Sequence, residues 1–407
     1  MGAQDPIYIY ADNAATTPLS PRALSAMMPY LTESFGNPGG IHRIAAEAAD
    51  ALRRARTSMA DLLGASSPAE IYFTSGGTES DNWILRGRCS AFQHLYGDAA
   101  PVRIITSQIE HHAVLHTCRA LEREGIETTY LPVDSQGFVS AEDLKQALGR
   151  NERSNDRAGI KAPGTAIVSV MLANNEIGTI QNIPELAHIA HAYGALFHTD
   201  AVQAVGHISI SIADLDVDAL SLSAHKFHGP RGAGALYLAA PWQITPFVEG
   251  GGQEHGMRSG TPNVAAAIGM AEALSEQMEG IAERSDRVSN LRDRLSQSLL
   301  SHLAGIRTTG ADSAHRLPSI ASFVCKDVDA ELLMVVLDKM GVAAATGSAC
   351  SAGSTEPSHV ITACGITDSS WSQGTLRLSL ADDVTPEEIS LLEQRVPAAI
   401  EQTRLLS

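Results

Sequence analysis

The chain is predicted to be an α/β protein, with a large, mostly parallel sheet covered by helices on both faces and a smaller α/β domain beside it. Three observations predict this. A length of 407 residues is enough for two domains. Apolar, strand-like runs alternate with helical patterns from about Glu70 to Leu238, as a doubly covered sheet requires. From Thr261 and Pro262 the pattern changes to a long charged and apolar stretch reaching about Leu303. A strand at Ser319 to Val324, an amphipathic helix over Ala330 to Lys339 and a last helix opening near Thr385 to Glu388 follow it. Residues 15–261 are expected to form the large domain. Residues 1–14 and 262–407 are expected to form the small one, which carries a loop at about 345–359. The alanine-rich helix from about His42 to Leu63 reads as packing surface.

Composition narrows the function classes. Lys plus Arg number 29 against 46 Asp plus Glu, a net charge of −17, which argues against direct binding to nucleic acid. No apolar run is long enough to span a membrane, and Met1 to Pro6 lack the basic start and apolar core of a signal peptide. Five cysteines without pairing spacing favour a reducing interior, with the cytoplasm expected.

Along the chain, the first chemical element is Glu70 to Asn82: a strand, the glycine pair Gly76 and Gly77, and a helix start at Thr78. Backbone amides at a helix N-terminus and the Thr78 hydroxyl make an anion cradle, which glycines let a phosphate approach closely. The same pattern also describes an ordinary turn with Thr78 as a cap. Next, the apolar strand Val102 to Thr106 leads into Glu110, His111, His112 and His116. His112 and His116, four apart, would share a helix face as metal ligands can, but no further histidine pair or Cys-x-x-Cys completes a set, so no metal is expected. His111, at the strand end, is better placed to stack on a planar ring and move protons.

A short apolar strand from Gly194 ends in Asp200, with Gln203 three residues on. A strand-end carboxylate can cap a helix, or it can hold a heteroaromatic nitrogen protonated at the ligand-gathering edge of an α/β sheet. Gln203 could then donate to a phenolic oxygen. About one βαβ unit later, Lys226 stands in a nearly charge-free stretch between the strand Val217 to Leu222 and a run of glycines. Apolar surroundings lower a lysine's pKa and free its amine to condense with an aldehyde, for which pyridoxal phosphate is the obvious cofactor. Ser223 and His225 flank Lys226 and could hold the cofactor's phosphate, while Asp200 would make its ring an electron sink. Finally, Ala345 to His359 is a run of small residues around Cys350. Such a run makes a mobile, exposed loop with an accessible thiol, whereas Cys89, Cys118, Cys325 and Cys364 read as packed.

Taken in order, these segments resemble a cysteine desulfurase of the NifS/IscS-like group, a pyridoxal phosphate enzyme of fold type I, aspartate aminotransferase-like, in the class V aminotransferase family. The likeness covers essentially the whole chain. It rests on Tyr10 to Pro18, Gly36 to Pro38, Thr74 to Asn82, Glu110–His111, Asn174 to Gly178, His198 to Gln203 and Ser223 to Lys226. It continues through Gly250 to Glu254, Met257 to Thr261, Gly347 to Cys350, Glu356 to His359 and Leu376–Arg377. The resemblance implies that Lys226 carries the cofactor and Asp200 meets its ring nitrogen. Gln203 would meet its phenolic oxygen, His111 would stack on the ring, and Gly77, Thr78, Ser223 and His225 would hold the phosphate. Thr261 of a second subunit would add a phosphate contact, so a homodimer is implied. Asn175, Arg377 and Asn13 would bind the substrate, L-cysteine. Cys350 would take its sulfur as a persulfide, leaving alanine, and pass it to acceptor proteins for iron–sulfur assembly, tRNA thiolation or DNA phosphorothioation.

Two rival functions remain at this stage. One is a lyase or aminotransferase using the same cofactor set but no thiol, with a selenocysteine lyase as the relative in question; Cys350 in its loop speaks against a plain aminotransferase. The other is a noncatalytic subunit of a sulfur-transfer complex, which has no chemical need for Lys226, Asp200, His111 and Arg377 together. Three departures from the family stand out. Residues 151–163 are long and polar, and are expected to be a surface excursion. Gly39 and Gly40 replace serines found in many relatives. The chain ends at Ser407, soon after its last helix.

Overall fold

A computed structural model of the chain describes residues 7–97, 102–158, 164–347 and 357–406. Seven strands form its main sheet, in the spatial order Ile71–Thr74, Gly234–Leu238, Ala219–Ser223, Leu196–Asp200, Ile167–Ser169, Arg103–Ser107 and Glu127–Leu131. Gly234–Leu238 runs antiparallel to both its neighbours and every other pairing is parallel, so six strands point one way. The expected strands are present, displaced or trimmed by a residue or two.

Inner strands are buried on both faces, and alternate side chains enter different cores. Ile104, Ile167, Leu196 and Ala219 meet Trp83, Ile84 and Phe92 of the helix Gly77–Tyr96 on one face. Ile105, Val168, Phe197 and Leu220 meet the helices Arg43–Leu63 and Ile183–Ala192 on the other. In Arg43–Leu63 the alanines Ala45, Ala48, Ala51 and Ala55 are all buried, so the small side chains are packing surface. The helix Val264–Met278 lies beyond the boundary expected at residue 261, yet Ala266, Ala267, Met270 and Leu274 join this same core. The helix Ala141–Ala158 continues through the first part of the polar stretch expected as an excursion.

A second core gathers the three-stranded antiparallel sheet of Ile306–Thr308, Ile320–Cys325 and Thr375–Ser379 with the helices Ile281–His302, Ala330–Lys339 and Pro386–Leu406. Ile9 and Ala11 belong to it, because Ile9–Tyr10 pairs with Val342–Ala343. The N-terminal segment then crosses to the main sheet, where Ala14 sits in the larger core. Among the described residues no helix is long and apolar enough to cross a membrane.

The glycine-rich segment expected from Gly250 to Glu254 is tied to the sheet by a buried ion pair. Arg56 donates to both carboxylate oxygens of Glu254 at 2.8 and 2.6 Å, and Glu254 also accepts from the Phe73 amide at 3.0 Å. Removing one partner of such a pair strands a buried charge, so Arg56→Met is expected to destabilise the protein by about 3 kcal/mol in chemical denaturation. Arg53→Ala, whose partner Asp50 is exposed, is expected to change stability by no more than about 0.5 kcal/mol.

Candidate active site

Six strands pointing one way bring their carboxyl ends to one edge, and the chain's polar loops gather there. The cavity at this edge has a volume of about 440 Å³. Gly77, Thr78, His111, Asn175 and Asp200 line it, as do Gln203, Ser223, His225, Lys226 and Arg377. Ten of the thirteen residues expected at the site thus meet in one place, though they are spread over 301 positions of sequence (377 − 77 + 1).

Lys226 ends a short 3₁₀ turn, Ala224–Lys226, directly after the strand Ala219–Ser223. Its Nζ donates to the carbonyls of Ala14 at 2.6 Å and Ala15 at 2.9 Å, so the N-terminal crossing holds the lysine in the cavity. Gln203 Nε2 also donates to the Ala14 carbonyl, at 2.8 Å. Asp200 is the last residue of its strand and accepts from the Val202 amide at 2.9 Å. Burial pushes its carboxyl up to about 6, against the pull of that amide and of Lys226.

Glu110 shapes the turn before His111. It accepts from Ser107 Oγ at 2.5 Å and from the Met171 amide at 3.0 Å, while burial pushes its carboxyl up to about 8, so it is protonated at neutral pH. His111 then caps the helix His112–Arg123, its Nδ1 accepting from the Ala113 amide at 3.1 Å. That bond places the ring proton of the neutral form on Nε2. Burial, with the Lys226 charge adding to it, lowers His111 to about 4, so the ring is neutral at pH 7.

The helix Gly77–Tyr96 opens with no side-chain cap on its first turn, leaving its N-terminal amides available to an anion. Two glycines make the approach possible. Gly76 has φ of 151°, and a side chain at Gly77 would meet Val202 Cγ2 at 2.5 Å. A Cβ on Gly76 would stand 3.6 Å from Ser223 Oγ, so cradle and hydroxyl face one another. An amine, a buried acid and an uncapped helix end with hydroxyls beside it suit the three ends of pyridoxal phosphate: aldehyde, ring nitrogen and phosphate. The residues present fit that group.

Arg377 is buried on the strand Thr375–Ser379 and reaches in from the second core. Nη1 donates to the Asn175 carbonyl at 2.9 Å and Nη2 to Asp12 Oδ1 at 2.7 Å. Its Nε is buried without a hydrogen-bond partner among the described residues.

Two of the other three expected residues do not line this cavity. Asn13 donates its amide to the carbonyls of Tyr10 and Ser379, both at 3.0 Å, and so fastens the N-terminal segment instead of facing the cavity. Thr261 lines a separate depression with Arg258, Phe73 and Ser75. Cys350 lies outside the described residues. The other four cysteines are buried, and burial raises their thiols, Cys89, Cys325 and Cys364 to about 12.

The cavity also holds side chains to which the sequence reading gave no role. Asp81 lies one helical turn after Gly77, a spacing that foretold a shared face. Glu176 accepts from Ser358 Oγ at 2.5 Å, and His359 Nε2 lies 3.0 Å from the Glu110 carbonyl. Both belong to motifs already singled out, but nothing in sequence pairs them. The His112 and His116 rings stack 4.7 Å apart, and His359 stands 4.8 Å from His112.

Comparison with known proteins agrees with this geometry. The aminotransferase class-V model matches residues 9–392. Cysteine desulfurase IscS of Methanosarcina thermophila is 43% identical over 403 residues, covering 98% of this chain and 93% of that protein. A solved NifS-like protein has a TM-score of 0.86 at 35% identity, over 97% of this chain and 100% of that one. A structure of SspA in complex with cysteine has a TM-score of 0.76 at 32% identity, over 91% of this chain and 98% of that one. The chain therefore belongs to the aminotransferase class-V family and, within it, to the pyridoxal phosphate-dependent cysteine desulfurases.

Proposed function

We propose that this cavity removes the sulfur of L-cysteine and leaves it on Cys350. The substrate C–S bond breaks, an S–S bond forms at the Cys350 thiolate, and L-alanine leaves with the proton that the thiol gave up. One observation carries the reading. Gly347 and His359, which bracket Cys350 in sequence, line the same cavity as Lys226, His111 and Arg377. Cys350 is three residues past Gly347. Cysteine bound to the related SspA supports the substrate class.

Pyridoxal phosphate supplies an electron sink when bound. The chain's own residues do the rest. Lys226 would hold the cofactor through Nζ and would move a proton at the substrate's α-carbon. Asp200 holds a proton on the ring nitrogen, and Gln203 faces the phenolic oxygen. The Gly77 amide, Thr78, Ser223 and His225 hold the phosphate. His111 would cover the ring and keep a proton at Nε2 for the substrate. Arg377 and Asn175 grip the substrate carboxylate, the guanidinium fork offering two parallel bonds. Thr261 serves the partner's phosphate in a homodimer. The persulfide passes to acceptor proteins, whose basic surfaces would complement a chain of net charge −17. Unpaired buried cysteines suit a reducing, cytoplasmic setting.

The direct test is release of alanine and sulfide from L-cysteine in the presence of a thiol reductant. The wild type should give equimolar products and Cys350→Ala none; turnover that survives the substitution would point instead to a thiol-independent lyase. His111→Gln is expected to lower kcat about 10²- to 10⁴-fold, the usual worth of a positioned proton donor. Because His111 titrates at about 4 in its buried position, its acid limb in a wild-type pH profile should fall there, well below the ~6.5 of an ordinary imidazole. Arg377→Lys keeps the charge but loses the fork, so KM for cysteine should rise about 10- to 100-fold with a smaller change in kcat.

A further inference from the structure

The lysine's turn is braced from behind by groups outside the cavity. His207 Nε2 lies 2.9 Å from the Lys226 carbonyl, and His228 Nδ1 lies 3.0 Å from the Pro18 carbonyl. A carbonyl only accepts, so each of these nitrogens bears a proton. The opposite nitrogens face one carboxylate. His207 Nδ1 is 3.7 Å and His228 Nε2 3.3 Å from Asp382, which follows the strand Thr375–Ser379 of the second core. Both rings thus have oxygen on either side and share one carboxylate, which at His228 suits an imidazolium ion.

The other charged groups here are few. Arg284 Nε stands 3.9 Å from Asp382, Arg287 donates to the backbone carbonyls of Asp382 and Val384, and Asp383 is next in the chain. His228 itself holds a left-handed backbone, φ 63°, and is fastened by its amide to Thr17 Oγ1 at 2.8 Å and by its carbonyl to the Ser20 amide at 2.9 Å. Its position, two residues after Lys226, makes it an anchor of the turn.

We propose that Asp382 is a positioning residue for the cofactor-bearing lysine: by facing both His228 and His207 it pins the Lys226 turn to the second core, and the pin loosens as the His228 imidazole loses its proton. Burial alone would lower His228, but the Asp382 carboxylate outweighs it and leaves the imidazole raised. Asp382, which burial alone would raise, is held far below the usual carboxylate range by the two histidines. A raised imidazole contributes stability fully below its unfolded value of about 6.5 and loses it as pH climbs through the higher folded value. A lowered carboxyl contributes above about 4 and loses its contribution only in acid. Pinning is therefore strongest between those limits and fails on the alkaline side.

This inference rests on Lys226 as the attachment residue. The experiment titrates wild type, Asp382→Asn, Asp382→Glu and His228→Asn with pyridoxal phosphate across pH 6 to 9, reading the visible absorbance of lysine-bound cofactor, beside thermal melts. At pH 6 the Asp382→Asn protein should bind the cofactor about tenfold more weakly than wild type, the worth of one partly buried charge pair, with Asp382→Glu restoring part of the loss. The gap should close towards pH 9 as wild-type His228 deprotonates. His228→Asn tolerates the left-handed backbone and cannot titrate, so it should show the same weak binding and the same closing gap, and it serves if Asp382→Asn does not fold. Variants with wild-type affinity at pH 6, or a lower melting temperature with an unchanged affinity gap across pH, would overturn the proposal. Lysine-bound absorbance that persists in Lys226→Ala would instead overturn the attachment reading, and the pin with it.

Discussion

Everything at this site depends on the Lys226 amine being held at the open end of the sheet by two peptide carbonyls. Ala14 and Ala15 accept from Lys226 Nζ, and they come from a segment that is rooted elsewhere, in the pairing of Ile9–Tyr10 with Val342–Ala343. A lysine left without such acceptors in this apolar setting would be driven to lose its charge or to leave the cavity. The N-terminal crossing thus does more than join two cores. The same short segment also engages Gln203 through Ala14 and Arg377 through Asp12.

Electrostatics sharpen the arrangement. Four buried carboxyls stand in or beside the cavity, Asp81, Glu110, Glu176 and Asp200, and burial raises all of them. Asp81 and Asp200 each disfavour the other's charge, so the site resists holding several anions at once. Asp200 is the member that Lys226 draws back towards ionisation, and it stands at a strand end where a ring nitrogen can be met. The histidines follow the same logic. His111 and His198 are neutral because they are buried, with His198 set between Ser169 and Ser221 at 2.9 and 3.0 Å.

Much of this was legible in sequence where local pattern and chemistry coincide. Asp200 and Ser223 end apolar strands and His111 follows one after a short turn, so their place at the sheet edge could be read before any contact was known. Lys226 could be read because it interrupts a charge-free stretch. Residues that act through distant partners could not. Asn13 lies in a motif that resembles a substrate-binding segment, yet its amide is consumed by Tyr10 and Ser379, a pairing 366 positions apart. The helix Val264–Met278 carries apolar residues nearly all round, and only its packing on Arg43–Leu63 shows which core it serves. Asp382, His207 and His228 are unremarkable one by one, and their meeting depends on how the two cores are joined.

The measurement that bears most directly on this account is the site of cofactor attachment. The protein would be loaded with pyridoxal phosphate, reduced with borohydride to make the link permanent, digested and mapped by mass spectrometry. The account predicts the cofactor's mass on the peptide containing Lys226 at close to one per chain. Attachment at another lysine, or a loaded protein with no covalent label, would contradict it.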